Sequence, residues 1–391
     1  MSDVAPTSPL DRLAKSARKP SRLIVGLLSG TSVDAAEAAL CHVSGAGSTV
    51  KLELVAHRSL PFPAALRASV LAAQTPQELC ALNFALGEIF AEAAEAVLAA
   101  AGVAPEALDL VGSHGQTVAH LPPPEAKRPS TLQLGEPSLI AERLRTPVIC
   151  NFRVRDMAVG GQGAPLIPYM DWALFRKPGV TRAFQNLGGI GNVSVVGERL
   201  EDTLAFDTGP GNMLLDGLAE RITHGALTYD RDGELSRQGS VDPALLEFLM
   251  ANPYLRRPPP KSTGRELLGR PLLEAVWQRG RARPFDAIAT AVAFTVEATA
   301  LAYERFVLPR FQPEAVFVSG GGSRHPLLMA GLTQRLAPLA VERLNALGFP
   351  EAAKEAACFA LLANEWLFGV PANVRSATGA HRQVVLGQMV P

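Results

Sequence analysis

Twice in this chain an apolar stretch runs straight into a short glycine turn, and each time further strand-like stretches and helical patterns follow. The first passage is Leu23-Ile24-Val25-Gly26-Leu27-Leu28, a continuous apolar run of the kind buried inside a sheet. It meets the turn Ser29-Gly30-Thr31-Ser32 and then strand-like stretches at 33–43 and 50–59. The second passage is a strand at 182–187, the turn Gly188-Gly189-Ile190-Gly191, a returning strand at 192–196, and a third strand at 203–206. That third strand ends in Asp207-Thr208-Gly209-Pro210-Gly211-Asn212. The two passages are too unlike in residues to prove duplication, yet their shared outline predicts two similar α/β halves facing each other. Helical patterns at 63–73, 76–101, 104–109 and 137–144 alternate with strands at 108–111 and 147–150, which predicts a largely parallel sheet. The later part reads as mostly helical (242–251, 270–280, 284–306, 351–368), broken by a strand at 315–318 that ends in Ser319-Gly320-Gly321-Gly322-Ser323.

The expected division is a disordered leader at 1–22, an N-terminal domain at 23–160 and a C-terminal domain at 161–391, with about 370–391 packing back on the first domain. The leader is polar and lacks the apolar centre of a signal peptide. Hydrophobic residues make up 48% of the chain and charged residues 19%, ample for a core and unlike a disordered, charge-driven chain. Lys+Arg and Asp+Glu are both 37, so there is no excess positive charge for a nucleic-acid or anionic-membrane surface. No consecutive apolar run reaches the ~18 residues of a membrane span. Cys41, Cys80, Cys150 and Cys358 are scattered, without C-x-x-C spacing, and read as small buried hydrophobes in a reducing compartment. The expectation is a soluble, cytoplasmic protein without nucleic-acid or membrane partners.

Glycine-rich loops follow apolar strands at 29–32, 188–191, 209–212 and 320–323. Glycine lets backbone N–H groups approach an anion, and four such loops at strand ends fit hairpins gripping a polyphosphate and a nucleoside. G-x-x-x-x-G-K-[ST], G-x-G-x-x-G, the protein-kinase set and G-x-S-x-G are all absent. What remains is a two-lobed phosphotransferase in which nucleotide and acceptor meet between domains. Asp34, just past the first turn, suits the waters of Mg²⁺ beside phosphate oxygens; a turn or capping aspartate is the competing reading. Asp207 at a strand end reads either as a general base or as a loop organiser accepting backbone N–H groups. His114 and His120 lack a third ligand at metal spacing and read as imidazoles holding a strand-end loop. Gln116 and Thr117 suit sugar hydroxyls. Arg153 suits a carboxylate-bearing substrate, with an ion pair to Asp156 as the even alternative. Lys261-Ser262-Thr263-Gly264-Arg265-Glu266 reads as a mobile phosphate-side loop or as a helix N-cap.

Long motifs in one order along the chain carry a resemblance. They include Leu28-Ser29-Gly30-Thr31-Ser32-Val33-Asp34, Ser113-His114-Gly115-Gln116-Thr117, Asn151-Phe152-Arg153-Val154-Arg155-Asp156 and Gly160-Gly161-Gln162-Gly163-Ala164-Pro165-Leu166. Asn186-Leu187-Gly188-Gly189-Ile190-Gly191-Asn192, Phe206-Asp207-Thr208-Gly209-Pro210-Gly211-Asn212, Pro260-Lys261-Ser262-Thr263-Gly264-Arg265-Glu266 and Gly320-Gly321-Gly322-Ser323-Arg324 follow. Over nearly the whole chain after the leader, the sequence resembles the anhydro-N-acetylmuramic acid kinases. That resemblance implies an actin-like ATPase architecture, two ribonuclease-H-like domains facing across a cleft. It implies hydrolysis of the 1,6-anhydro bridge and phosphorylation of O6 by ATP with Mg²⁺, in murein recycling, and commonly a homodimer. By the same resemblance the ATP phosphates lie on Ser29, Gly30, Thr31, Ser32, Val33 and Asp34 and on Gly188, Gly189, Gly191 and Asn192. Gly320, Gly321 and Gly322 lie near the nucleoside, and Asp34 holds the metal through water. Asp207 matches the catalytic aspartate that deprotonates the water attacking C1. Glu355 matches a glutamate contacting the sugar, with Thr117, Gln116 and Arg153 on the same side.

The chain departs from the family's usual pattern at Ala35, Glu37, Asp171 and His325. Two other functions compete: a kinase for another anhydro sugar such as levoglucosan, which leaves Arg153 no carboxylate to bind, and a non-catalytic actin-like nucleotide switch.

Overall fold

The computed structural model describes residues 8–30, 32–123 and 126–391. It divides into two compact units, the chain up to Leu174 with Ala352–Pro391, and Phe175–Glu351.

The first unit is built on β1 (Ser21–Ser29), β2 (Ala35–Ser44), β3 (Lys51–Pro61), β4 (Leu110–Leu121), β5 (Ser130–Leu134) and β6 (Val148–Cys150). β1, β2 and β3 form an antiparallel meander, and β1 pairs parallel with β4, which pairs parallel with β6. The apolar run at 23–28 takes the central place because both of its faces are covered. On one face lies the helix Pro76–Ala101, its Leu86, Phe90, Ala94 and Val97 sharing a core with Val25, Leu27 and Val111. That helix starts with a reciprocal Thr75–Glu78 capping box and ends at Gly102 in the left-handed conformation. On the other face lies the helix Lys354–Leu367. Gly26 and Gly112 are register partners beneath it, and a Cβ on either would stand 1.9 Å from the Ala356 carbonyl oxygen or 2.0 Å from that of Phe359. The helix therefore rests on bare strand backbone.

The second unit repeats the plan. β7 (Thr181–Leu187), β8 (Ile190–Val196) and β9 (Leu204–Pro210) form the meander, and β7 pairs parallel with β10 (Pro313–Ser319), which pairs parallel with β11 (Ala340–Arg343). Each unit thus has its meander strands in the order third, second, first, followed by two parallel neighbours, the ribonuclease-H-like arrangement implied by the resemblance. Helix Pro284–Ala302, extended by a π turn at Tyr303–Val307, fills the second core with Ala291, Phe294 and Ala298 against Val193, Phe206 and Val316. By length and composition alone 284–307 is long and apolar enough to cross a membrane, although no unbroken apolar run in it reaches ~18 residues; 72% of its most apolar window is buried in the fold, as in a core helix. Finally β12 (Gln388–Val390) returns to the first sheet, antiparallel to β6.

Several expectations need correction. The second unit is Phe175–Glu351, not 161–391. The glycine loop at 160–163 belongs to the first unit because fully buried Asp156 ties it to the returning C-terminal segment. Asp156 accepts from the Gly163 N–H (2.8 Å), Asn373 Nδ2 (2.9 Å) and Thr378 Oγ1 (2.8 Å). The expected leader holds an ordered helix, Pro9–Arg18, capped by Ser8. Ser16 Oγ donates to Asp109 Oδ1 (2.8 Å), Lys19 pairs with the same oxygen (2.6 Å), and Leu13 is buried. The helical pattern at 104–109 is a single 3₁₀ turn, Pro105–Ala107, and the strand expected at 108–111 runs on to Leu121. Cys80 is exposed, unlike the other three cysteines.

Candidate active site

In the second unit the sheet brings three of the glycine loops to one end. Asn212 N–H donates to the Gly188 carbonyl (2.7 Å) and Asn212 Nδ2 to that of Leu187 (3.0 Å). A Cβ on Gly211 would fall 2.2 Å from Gly188 O, and one on Gly320 (φ 81°) 2.6 Å from Asn186 Oδ1. Gly211 and Gly320 are glycine so that loop can pack on loop. Gly188 and Gly189 are different: a Cβ there would meet nothing closer than 3.4 Å and 3.2 Å respectively, and only side-chain atoms at those distances. Packing hardly asks for glycine at either position, and the bare backbone they leave suits an anion. In the first unit Gly30 is the same, with nothing nearer than Ser32 Oγ at 3.8 Å.

Asp207 sits in β9 opposite Asn192 of β8. Its Oδ2 accepts the Thr263 N–H (2.8 Å), its N–H donates to the Lys261 carbonyl (3.1 Å), and its carbonyl accepts the Tyr254 hydroxyl (3.0 Å). Lys261 is not on a mobile loop: its residue is 4% exposed and its ammonium lies among aromatic rings.

The first-unit turn after β1 is tight. Val33 N–H donates to Gly30 O (3.2 Å), and Val33 is buried with φ 58°. A β-branched residue in the left-handed region carries backbone strain. Thr31 lies outside the described residues. Asp34 is exposed, and its Oδ1 pairs with Arg67 Nε at 3.1 Å. An exposed carboxylate at a strand-end turn fits the water shell that magnesium keeps around itself. Gln116 needs reassignment from sugar contact: it is fully buried, and its Nε2 donates to the carbonyls of Gly30 (3.3 Å) and Thr117 (3.1 Å). It props the turn from below. Beside it, Ser29 Oγ, Ser113 Oγ and Gln116 Oε1 are buried and find no partner among the described residues.

A second set of first-unit groups gathers around Arg153. Arg153 Nε donates to His114 Nε2 (2.9 Å), and Nη1 to the Gly163 carbonyl (2.8 Å). Since Nε2 accepts, the His114 proton sits on Nδ1, 2.9 Å from Gly115 O, and the ring is neutral. Burial, and then the Arg153 charge, hold its pKa well below the usual histidine value. His114 therefore holds Arg153, which replaces the expected alternative of an Arg153–Asp156 pair. Burial lowers Arg153 to about 10, opposed by the negative charges of Glu355 and Asp156. Glu355, at the start of the helix resting on Gly26, is pushed up by burial, pulled down by Lys354 and Arg153, and pushed up by Glu37. Thr117 lies on β4 across from Gln133, whose Nε2 donates to its hydroxyl (3.4 Å). The fold thus joins Thr117, Arg153 and Glu355 in one unit, and adds Lys354 and its buried partner Asp171 (2.6 Å), which sequence reading had not paired. Two charges at the start of an alanine-rich helix, ahead of the apolar stretch 356–363, were the available signal for Lys354.

Comparison with known proteins decides the family. The family model described as anhydro-N-acetylmuramic acid kinase matches residues 22–391. The chain belongs to the anhydro-N-acetylmuramic acid kinase family. The anhydro-N-acetylmuramic acid kinase of Caldanaerobacter subterraneus subsp. tengcongensis is 41% identical over 97% of this chain and 100% of its own length. That of Bacillus thuringiensis subsp. konkukian is 42% identical over 94% of this chain and 98% of its own. Among solved structures, the activator of the 2-hydroxyisocaproyl-CoA dehydratase from Clostridium difficile with bound ADPNP gives a TM-score of 0.44 at 13% identity, covering 88% of this chain and 96% of that one.

Most of the positions expected to depart from the family's usual pattern have local partners. Glu37 binds His57 Nε2 (2.8 Å) and Ser59 Oγ (2.6 Å) on the neighbouring strand β3. His325 caps the helix Pro326–Arg335 through Nδ1, and its Nε2–H faces Asp230 Oδ2 at 3.2 Å. Asp171 neutralises Lys354. Ala35 begins β2 with no contact that explains the choice of alanine. The helix Pro9–Arg18 precedes the span matched by the family model.

Proposed function

We propose that the protein uses ATP to open the 1,6-anhydro bridge of anhydro-N-acetylmuramic acid with water and to phosphorylate O6, giving N-acetylmuramic acid 6-phosphate and ADP. The work is the cytoplasmic recycling of murein fragments. Asp207 takes a proton from the water that attacks C1; the C1–O6 bond breaks, and its electron pair makes O6 the nucleophile toward the γ-phosphorus, expelling ADP. The grip on Asp207 supports this role. With its backbone N–H and carbonyl bound and Oδ2 tied to Thr263, the carboxylate has one orientation, as a base aimed at a single water needs.

The observation that carries the nucleotide reading is the bare backbone at Gly30, Gly188 and Gly189. There we place ATP phosphates, with Ser29, Thr31, Ser32, Val33, Gly191 and Asn192 alongside and Gly320, Gly321 and Gly322 toward the nucleoside. Magnesium, when bound, neutralises charge on the transferring phosphoryl group, and Asp34 is the residue that would hold its waters. Arg153, Glu355 and Thr117 take the sugar. Arg153 is held by His114 but makes no hydrogen bond through Nη2 among the described residues, which leaves a donor for the sugar's lactyl carboxylate. This favours the muramic sugar over levoglucosan. A homodimer, common in the family, is the proposed assembly and is checked by light scattering.

ATP consumption is to be measured with anhydro-N-acetylmuramic acid, levoglucosan, N-acetylmuramic acid and no sugar, with products weighed by mass spectrometry. A product heavier by one water and one phosphoryl group, from the anhydro-muramic sugar alone, is expected. Asp207→Asn should abolish turnover and keep ATP affinity within a few-fold. ATP loss independent of sugar would point to the nucleotide-switch reading, and equal turnover of levoglucosan to the other sugar.

A further inference from the structure

Asp207 makes three hydrogen bonds with the two ends of one segment, 254–263. Tyr254 supplies the hydroxyl to its carbonyl, Lys261 the carbonyl to its N–H, and Thr263 the N–H to its carboxylate. Between those ends the chain makes a proline-rich excursion, Arg256-Arg257-Pro258-Pro259-Pro260, with little regular structure of its own. Something has to tie the ends together, and the Lys261 side chain does. Its Nζ donates to the carbonyls of Tyr254 (3.3 Å) and Leu255 (3.4 Å), so residue 261 is bound back to the start of the same excursion. The ammonium lies 4.7 Å from the Tyr254 ring centre, 5.0 Å from that of Phe306 and 5.6 Å from that of Phe206, the residue before Asp207. A purely apolar side chain would fill such a cage without the cost of desolvating a cation. A buried lysine here is explained by what its charge binds.

We propose that Lys261 is a positioning residue for Asp207: its caged ammonium cross-ties the 254–263 segment and so fixes the three hydrogen bonds that aim the aspartate. The inference rests on the reading of Asp207 as the general base. The charged groups around the ammonium are Asp207, Arg257 and Arg305. Burial, the largest influence, brings Lys261 down to about 8; Asp207 opposes this, and the two arginines add to it. Discharging the ammonium should therefore weaken the cross-tie on the alkaline side.

Lys261→Met keeps the apolar stem and removes the charge. Its expected effect is a kcat lowered ~10–100-fold with KM for ATP and for the anhydro sugar within about threefold, as for a misaimed catalytic group. The parent's alkaline fall in kcat should be missing from the variant's pH profile. Tyr254→Phe removes one of the three bonds while leaving the ring of the cage; it should lower kcat less, and its effect should not add fully to that of Lys261→Met. A folded Lys261→Met enzyme with kcat within twofold of the parent, or a loss confined to KM, overturns the proposal. Should Lys261→Met not fold, an unchanged kcat in Tyr254→Phe overturns it instead. If Asp207→Asn is inactive while Lys261→Met is unaffected, this inference fails alone; if Asp207→Asn turns over normally, the base assignment fails and this inference with it.

Discussion

A single methyl group on β1 should disturb Glu355, proposed above to bind the sugar, from beneath. The helix Lys354–Leu367 rests on Gly26, where an added Cβ would stand 1.9 Å from Ala356 O and 2.7 Å from Ala360 N, the two atoms of one helical hydrogen bond. Both are backbone, so no rotamer change can relieve the clash. Ordinary contact begins near 3.4 Å, so Ala356 O must retreat by about 1.5 Å in Gly26→Ala. Overpacking of this kind costs ~1–3 kcal/mol and sometimes more. Glu355 immediately precedes Ala356 and cannot escape the movement; a misplacement of about 1 Å costs up to ~10²-fold in rate. Urea unfolding and steady-state kinetics on Gly26→Ala should show both effects, with ATP affinity within about threefold of the parent. Gly369→Ala is the control: at φ 65° and with nothing within 4 Å of a Cβ, it should cost ~1–2 kcal/mol from backbone conformation and leave kcat unchanged. A Gly26→Ala enzyme with parental stability and turnover would refute the close-approach reasoning and the placement of Glu355 that depends on it.

Other expectations follow from buried charge and from the ordered N-terminus. Asp171→Ala removes the carboxylate 2.6 Å from buried Lys354 and should cost ~3–5 kcal/mol in urea unfolding, with a raised KM for the sugar. Burial, then the Arg153 charge, lower His120 to about 4, so as pH falls from about 6.5 toward 4 the unfolded chain binds a proton that the folded chain does not. His120 therefore contributes stability that is present above pH 6.5 and lost across that window; His114 acts in the same direction, whereas Glu355 and Glu365, raised chiefly by burial, act oppositely. In thermal melts at a series of pH values, His120→Asn should lose stability less steeply than the parent between pH 6.5 and 4; an unchanged slope would contradict the assignment. Asp109→Ala removes the acceptor shared by Ser16, Lys19 and the Leu23 N–H, and should cost ~1–3 kcal/mol. Hydrogen exchange should then rise across Pro9–Arg18; protection equal to the parent's would mean that Asp109 does not anchor the helix.

The repeated strand–turn–strand outline and the long motifs made the α/β class, the two-unit plan and the family legible before any coordinates. Those signals are local: an apolar run is buried wherever it folds, and a glycine turn at a strand end has few alternatives. The same locality explains the readings that changed. Gln116 looked like a sugar ligand because its amide suits hydroxyls and its strand was expected to end there, yet β4 continues through it and carries its amide under the Gly30 turn. The segment at 9–18 looked disordered from its charge and proline, but Ser16 and Lys19 meet Asp109, a partner far along the chain. Lys261 looked like part of a mobile loop because no short-range pattern shows that Tyr254, Phe206 and Phe306 close around it. Even the glycines divided only in three dimensions, with Gly26, Gly112, Gly211 and Gly320 needed for close packing and Gly30, Gly188 and Gly189 left bare. Residue type and spacing determined which chemistry this chain carries. Tertiary structure decided which groups meet, because hydrogen bonds, buried charges and backbone contacts join residues that share no sequence neighbourhood.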